Sequence, residues 1–304
     1  MTAARYLQRL AERQAQSGTV LCVGIDPDPD ALPAGFPPDI SGVEAFAQLL
    51  VDAAAPFAAA IKPNLAFFEA FGSSGLAAFE RIRATIPAGV PVVIDAKRGD
   101  IGTTSARHAA ALYDTLGADA VTVSPYLGEE AIRPLLERLD RLAYVLCRTS
   151  NPGAGELQDL AVAEADAGGA QAREPGEGEA LATEPLWARV ARRATAWGPG
   201  GTVGLVVGAT APRELAAIRD IAPTLPFLVP GVGAQGGEVD AVLASGPATA
   251  GTAGAAPGGA LLVNVSRGVA SAALGTSAGS ASSDLGERLA EAAREWAARL
   301  PVLR

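Results

Sequence analysis

The sequence predicts an α/β protein built as a single (β/α)8 TIM barrel, and two observations support that fold class. Short apolar runs alternate with helix-like segments along the chain, which is typical of parallel strands joined by right-handed crossovers. Eight such units occur within 304 residues, and this number favours a closed barrel over an open doubly wound sheet. We therefore expect residues 1–304 to form one domain.

The eight expected strands share an apolar, mostly β-branched composition. They are residues 20–25, 58–63, 91–96, 119–124, 143–148, 202–207, 226–231 and 261–266. Helical patterns occupy residues 43–55, 75–86, 103–116, 129–139, 186–197, 212–221, 236–244 and 284–299. A further helix at about 2–16 precedes the first strand, and we expect it to cap the bottom of the barrel. Asp119, before the fourth strand, is expected there as a turn residue.

Three stretches interrupt the alternation. Residues 153–183 are rich in Gly and Glu, and they are predicted to form a mobile acidic insertion between the fifth strand and its helix. Residues 245–260 and 271–283 consist mostly of small residues, as in low-complexity linkers. We expect the insertions at 153–183 and 245–260 to lie near the barrel rim as mobile loops.

The composition argues against several classes of function. A formal net charge of −9 disfavours a nucleic-acid or anionic-membrane surface. No apolar run approaches the ~20 residues that span a bilayer, and the polar N-terminus lacks a signal-peptide core, so we expect a cytoplasmic protein. One histidine and two cysteines give little support to transition-metal or histidine-based catalysis. We therefore expect no transition-metal site.

Polar side chains follow the predicted strands at the points where the strands end. In a (β/α)8 barrel the active site forms at the carboxyl ends of the strands, because all of them open onto the same rim. The residues found there are Asp26, Lys62, Asp95, Lys97, Ser150, Asn151, Gln235 and Arg267. Their concentration at one rim predicts a functional site.

The third strand has a charged face. Since side chains alternate along a strand, Asp95 and Lys97 share a face with Val93 and point into the barrel mouth together. Taken alone, such a pair is more often a structural salt bridge at the rim. With Lys62 on the next strand and Asp100 just beyond, an alternating Lys–Asp–Lys–Asp array becomes possible. Nearby carboxylates favour a protonated Lys97, which suits proton donation to a developing carbanion.

The stretch PGVGAQGG, residues 230–237, contains the spacing G-x-G-x-x-G. That spacing indicates dinucleotide binding only in the first βα turn of a nucleotide-binding domain, whereas here it follows the seventh strand. In barrels, the loops after strands seven and eight commonly hold a phosphate. Gln235 could add side-chain hydrogen bonds to that phosphate, and Arg267 could bind it in a bidentate manner.

The motifs VIDAKRGDIGTT, IDPD, IKPN, TSNPGA and PGVGAQGG together resemble the orotidine 5′-phosphate decarboxylase family, particularly its longer bacterial subgroup. The resemblance runs from about residue 20 to 270. The family signature Asp-x-Lys-x-x-Asp-Ile corresponds to Asp95, Lys97, Asp100 and Ile101. The resemblance implies cofactor-independent conversion of orotidine 5′-monophosphate to UMP and CO2 in de novo pyrimidine biosynthesis.

The resemblance also implies residue roles. Asp95 would lie beside the substrate carboxylate, and Lys97 would protonate C6 of the pyrimidine. Asp100 and Thr104 would reach into the neighbouring subunit's site, so that a homodimer with shared active sites would be the working unit. The remaining residues would contact the substrate: Asp26 and Lys62 at the ribose hydroxyls, Ser150 at the pyrimidine edge, Gln235 and Arg267 at the phosphate, with Ile101 and Pro230 also in the substrate-binding set.

Two other functions fit part of this pattern. A sugar-phosphate decarboxylase or aldol-type synthase would share the Asp-x-Lys-x-x-Asp core, and those relatives resemble magnesium-dependent enzymes. They would need neither the Ile after the second Asp nor the PGVGAQ loop in this form. A phosphate-ligand sensor on a barrel scaffold is the alternative without catalysis, but such a protein has no use for a proton donor among carboxylates.

Overall fold

The computed structural model describes residues 5–163, 183–233, 235–274 and 282–303. Ten strands occur in these ranges: β1 (Leu21–Ile25), β2 (Ala60–Pro63), β3 (Val93–Arg98), β4 (Ala120–Val123), β5 (Leu142–Arg148), β6 (Ala161–Ala163), β7 (Thr183–Pro185), β8 (Val203–Val207), β9 (Phe227–Pro230) and β10 (Leu262–Val265). Eight of them form one parallel sheet in the order β2-β1-β10-β9-β8-β5-β4-β3.

The sheet closes into a barrel. Parallel bridges join its two outer strands, β2 and β3, at Ile61 with Val92 and at Asn64 with Asp95. The backbone N–H of Ile61 donates to the carbonyl of Pro91 at 3.0 Å across the same seam. The predicted (β/α)8 barrel is therefore confirmed, and every barrel strand begins and ends within two residues of the predicted run.

Helices surround the barrel and follow the predicted alternation. They are α1 (Arg5–Ser17), α2 (Ile40–Ala54), α3 (Ala66–Glu69), α4 (Gly72–Thr85), α5 (Gly102–Ala109), α6 (Arg133–Leu136), α7 (Gly155–Gln158), α8 (Leu186–Ala194), α9 (Pro212–Ile221), α10 (Val239–Ser245), α11 (Gly251–Gly254), α12 (Arg267–Ala270) and α13 (Ser282–Arg299). The helix expected at 129–139 is shorter and begins at Arg133, with Pro134 in its first turn, the position that proline favours. Within the described ranges no helix is long and apolar enough to cross a membrane.

The barrel interior is filled with apolar side chains below the site. Inward-facing residues on the strands form one buried cluster: Cys22, Ala60, Val93, Ala120, Leu142, Tyr144, Val206, Leu228 and Leu262. A second, larger cluster lies between the strands and the outer helices. Close packing on both faces of the strands makes the barrel a rigid frame for the polar groups at its rim.

Helix α1 caps the bottom of the barrel, as predicted. Tyr6 is buried beneath the strands, and its hydroxyl lies 3.0 Å from the hydroxyl of Tyr144.

Asp119 differs from its prediction as a simple turn residue. Its buried carboxylate pairs with Arg9 of α1 and with Arg141, and it accepts the backbone N–H of Val92 at 2.9 Å. Asp119 therefore joins the capping helix to two strand ends. Its partners also compensate for the burial of its charge, since a buried carboxylate is tolerated only when it is paired.

The predicted linker at 245–260 is also different from expectation. It contains α11 and a 3-10 turn at Pro257–Ala260, and Ala248, Ala253 and Ala260 are buried in the same cluster as Leu10 of α1. The segment precedes β10, so it lies at the bottom of the barrel and not near the active-site rim. Its small residues permit close packing, since a Cβ on Gly259 would come within 2.5 Å of the backbone of Ala248.

The predicted insertion at 153–183 begins and ends with regular structure. A 3-10 turn at Pro152–Ala154 leads into α7, and β6 pairs antiparallel with β7 through Val162 and Glu184. The two strands bring both ends of the insertion together beside α8. Most of the predicted acidic insertion, residues 164–182, lies outside the described residues, as do residues 275–281 of the third stretch.

Candidate active site

Two adjoining cavities open at the carboxyl ends of the barrel strands. Lys62, Asp95, Ser150 and Pro230 line both of them. The first cavity is also lined by Asp26, Gln235, Asn264 and Arg267, and the second by Lys97, Thr122, Asn151 and Gln158. The structure thus gathers eight of the eleven site residues expected from the sequence: Asp26, Lys62, Asp95, Lys97, Ser150, Pro230, Gln235 and Arg267.

Asp95 lies between two lysines. Its Oδ2 atom is 2.9 Å from Nζ of Lys62, and its Oδ1 atom is 2.5 Å from Nζ of Lys97. The side chains of Lys62 and Asp95 are only 5% and 12% exposed, whereas that of Lys97 is 51% exposed. Lys62 and Asp95 therefore form a buried pair, and the ammonium of Lys97 sits at the cavity surface, where an ion pair alone contributes little to stability.

The pKa values of the two buried residues are shifted from their usual values in opposite directions. Burial raises the pKa of Asp95, but the ammonium groups of Lys62 and Lys97 outweigh burial and hold that pKa well below its usual range. Burial lowers the pKa of Lys62, yet the carboxylates of Asp95 and Asp26 more than compensate and raise it above its usual value. Both members of the buried pair, Lys62 and Asp95, are therefore charged at neutral pH.

Two residues that line the first cavity beside Lys62 each carry a buried acceptor atom. Oδ1 of Asp26 has no hydrogen-bond partner among the described residues, and the same is true of Oδ1 of Asn264. The amide nitrogen of Asn264 donates to Oγ of Ser266 at 3.2 Å, which leaves its carbonyl oxygen directed away from that bond. Buried acceptors are normally satisfied, so two unpaired oxygens in cavity-lining residues are an exception to the usual pattern.

The β9–α10 loop forms the other end of the first cavity. Gly231 has a φ of +100°, and a Cβ at this position would come within 2.9 Å of both Gln235 Oε1 and Ser150 Cβ. This close approach allows Ser150 Oγ to donate to Gln235 Oε1 at 2.9 Å. Arg267 is exposed across the cavity, and its guanidinium makes no hydrogen bond or ion pair with another described residue. Its guanidinium is available to an anion.

Asp100, Ile101 and Thr104 do not join the cavity. The carboxylate of Asp100 accepts the backbone N–H of Ile101 at 2.7 Å, away from the two lysines. The sequence predicts an array of four charged residues, but one chain brings together three of them: Lys62, Asp95 and Lys97. Ile101 is 63% exposed, and Tyr126 and Leu127 are exposed as well. Their two loops are adjacent, since the N–H of Asp100 donates to the carbonyl of Ala131.

Comparison with known proteins identifies the family of this chain. The profile of the orotidine 5′-phosphate decarboxylase / HUMPS family matches residues 19–281. The chain belongs to this family. A protein from Thermomicrobium roseum named orotidine 5′-phosphate decarboxylase is 44% identical over 296 residues, which covers 97% of this chain and 93% of that protein. One of the same name from Roseiflexus castenholzii is 45% identical over 248 residues, covering 81% and 82% of the two chains.

A solved structure supports the same assignment. The OMP decarboxylase of Leishmania donovani superposes with a TM-score of 0.71 at 36% identity and covers 96% of this chain and 99% of its own. The relatives are named orotidine 5′-phosphate decarboxylase, so the comparisons favour this activity over the sugar-phosphate decarboxylase or aldol-type synthase considered from the sequence.

The polar residues that line the cavities but were not expected from the sequence include Thr122 and Asn264. Each lies two positions after an inward-facing apolar residue, Ala120 and Leu262, at the carboxyl end of its strand. A polar residue in an inward position of an otherwise apolar strand was the available signal. The apolar side of the second cavity, Leu146, Val206 and Leu228, gives no such signal, because these residues look like ordinary barrel core.

Proposed function

We propose that the protein converts orotidine 5′-monophosphate to UMP and CO2 in pyrimidine biosynthesis, without a metal or cofactor, and that Lys97 is the proton donor. The arrangement Lys62–Asp95–Lys97 at the junction of the two cavities is the observation that carries this proposal. It combines a buried, fixed ion pair with a half-exposed ammonium, which is the group that acid catalysis requires.

The substrate is held at three points in this proposal. Gln235 and Arg267 bind the phosphate at one end of the first cavity, and Asp26 and Lys62 contact the ribose hydroxyls in its middle. Ser150 meets the edge of the pyrimidine where the two cavities join. The hydrogen bond from Ser150 to Gln235 supports this order, because it links the phosphate loop to the loop that carries the base-binding residue.

Charge stabilisation and proton transfer follow from the position of Lys97. Cleavage of the bond between C6 and the carboxylate leaves the electron pair on C6 and releases CO2. The ammonium of Lys97 stabilises the resulting carbanion, and one N–H proton moves to C6 to give UMP. A preorganised charge at the point where charge develops is usually the largest contribution to catalysis. Half of the Lys97 side chain is exposed, so solvent can return the proton.

The negative charge of Asp95 lies where the substrate carboxylate would depart. Because its pKa is held below the usual range, Asp95 stays ionised when the substrate binds. Its Oδ1 atom also accepts a hydrogen bond from Nζ of Lys97 at 2.5 Å, which fixes the direction of the ammonium group. Asp95 is therefore assigned a second role, that of orienting the proton donor.

The active form in this proposal is a homodimer with shared active sites. Asp100 and Thr104 lie outside their own cavity, and the apolar side chains of Ile101, Tyr126 and Leu127 are exposed on the two adjacent loops. An apolar surface next to an unfinished site favours a partner subunit. Asp100 of one chain would then complete the charge array of the other. The proposed location is the cytoplasm, supported by the free thiols of Cys22 and Cys147.

The direct test is the ultraviolet absorbance of orotidine 5′-monophosphate after addition of the purified protein. Wild-type protein should consume the substrate, with UMP and CO2 as products. Arg213→Ala removes an exposed cation on α9 and should leave the rate unchanged, whereas Lys97→Ala should lose nearly all activity. No loss of substrate with folded wild-type protein would refute the proposal.

A further inference from the structure

Lys97 has an unusual backbone conformation. Its φ is +50°, in the left-handed region that residues with a Cβ rarely adopt. Such conformations persist when the surrounding structure holds them in place, and they are concentrated at functional sites. Neighbouring groups must therefore hold the backbone of Lys97 in this conformation.

The strand ladder does not supply those contacts directly. Strand β3 pairs with β4 at Ile94 with Val121, and pairing resumes only at Arg98 with Val123. Three residues of β3, numbers 95 to 97, therefore lie opposite a single residue of β4, Thr122. Irregularities of this kind redirect a side chain at the expense of regular backbone hydrogen bonds.

The hydroxyl of Thr122 fills this gap. Its Oγ1 atom accepts the backbone N–H of Ala96 and that of Lys97, each at 3.0 Å. The same hydroxyl donates to Oδ1 of Asp95 at 2.7 Å. A threonine hydroxyl has one donor and two acceptor positions, so all three are used here. The side chain is buried although it belongs to the lining of the second cavity, and all three of these hydrogen bonds are made within the protein.

We infer that Thr122 is a positioning residue for the proton donor, an inference that rests on the function proposed above. Oδ1 of Asp95 receives both the Thr122 hydroxyl and the Lys97 ammonium. One side chain thus fixes the backbone of Lys97 and the carboxylate that orients its ammonium. Thr122 itself remains behind these groups and does not take part in proton transfer.

The kinetic test uses a pair of variants. Thr122→Val keeps the shape of the side chain and removes the hydroxyl, whereas Thr122→Ser keeps the hydroxyl and removes the methyl group. We expect Thr122→Val to lower kcat at least about 30-fold, equivalent to about 2 kcal/mol of barrier, while the inhibition constant of UMP stays within about twofold of wild type. Thr122→Ser should retain kcat within about threefold. Equal losses in both variants would assign the residue to packing and overturn the inference.

A second measurement is independent of activity. The chain contains only two lysines, so selective 15N-lysine labelling gives two backbone amide signals, those of Lys62 and Lys97. Lys62 lies in the regular ladder between β1 and β2 and is an internal control for folding. In Thr122→Val, hydrogen exchange at Lys97 should accelerate at least about tenfold while exchange at Lys62 is unchanged.

The two measurements separate the inference from the proposed function. If the wild-type protein proved inactive, accelerated exchange at Lys97 alone would still show that Thr122 holds this backbone. Unchanged exchange at Lys97 in Thr122→Val would overturn the inference even if the protein decarboxylates its substrate as proposed.

Discussion

Replacing Asp95 with asparagine should destabilise the protein mainly through Lys62. The amide keeps the size of the carboxylate but cannot accept hydrogen bonds from both lysines. Lys97 is half exposed and can turn towards water, at a cost of about 0–1 kcal/mol. Lys62 is buried and cannot, and loss of one partner from a buried ion pair costs about 3–5 kcal/mol. Because Asp26 still neutralises part of this charge, we expect the free energy of unfolding to fall by about 3 kcal/mol.

The measurement is chemical denaturation followed by circular dichroism at a fixed protein concentration. Asp220→Asn is the matched control, because Asp220 is exposed at the end of α9 and its replacement should change the free energy of unfolding by less than about 0.5 kcal/mol. A loss below about 1 kcal/mol in Asp95→Asn would refute the view that Asp95 stabilises the buried lysine.

The difference between wild type and Asp95→Asn should depend on pH with a defined sign. The pKa of Asp95 is lowered in the folded state, so its contribution is complete above its unfolded pKa of about 3.9 and is lost as the pH falls further. The pKa of Lys62 is raised, so its contribution is complete below about pH 10.4 and is lost as the pH rises above that value. A constant difference from about pH 5 to 9, narrowing on both sides, is therefore expected.

Four further predictions concern activity. Lys97→Ala should fold normally but lose nearly all decarboxylation, and retention of more than about a tenth of the rate would contradict its role as proton donor. Exhaustive chelation should leave activity intact, whereas a loss that magnesium restores would favour the metal-dependent relatives. Arg267→Ala should raise KM for the nucleotide and cost far less with a substrate lacking the phosphate; equal losses would indicate a structural role. Mixed Asp100→Ala and Lys97→Ala subunits should recover about a quarter of wild-type activity, because half of the dimers are mixed and each has one intact site; no recovery despite exchange would place Asp100 in its own site.

Much of the barrel could be predicted because its signals are local. Each strand is an apolar run bounded by polar residues, and the closed sheet places all strand ends at one rim. The positions of Lys62, Asp95 and Gln235 follow from those two facts. The same reasoning places Asp100 near the rim as well, but a strand end does not determine whether a side chain turns towards its own barrel.

The errors arise where contacts distant in sequence decide the structure. Asp119 looks like a turn residue until Arg9 and Arg141 are brought to it by the fold. Residues 245–260 have the composition of a linker, yet small side chains also allow close packing against α1. The irregular pairing at Lys97 depends on the register of β3 with β4, which the sequence of neither strand reveals.

The cations that contact Asp95 in the proposed catalytic site differ in residue type from the cations of the other ion pairs. The chain has 24 lysine and arginine residues, and only two of them are lysines. Both lysines contact Asp95, whereas arginine serves in the ion pairs elsewhere, as in Arg81 with Glu44 and Arg189 with Glu184. An arginine guanidinium binds carboxylates well but does not release its proton in proteins, and a lysine ammonium can do so. A simple rim salt bridge would be served equally well by arginine. The presence of lysine and not arginine at position 97 therefore favours a role in proton transfer. The location of this side chain at the cavity surface agrees with that role.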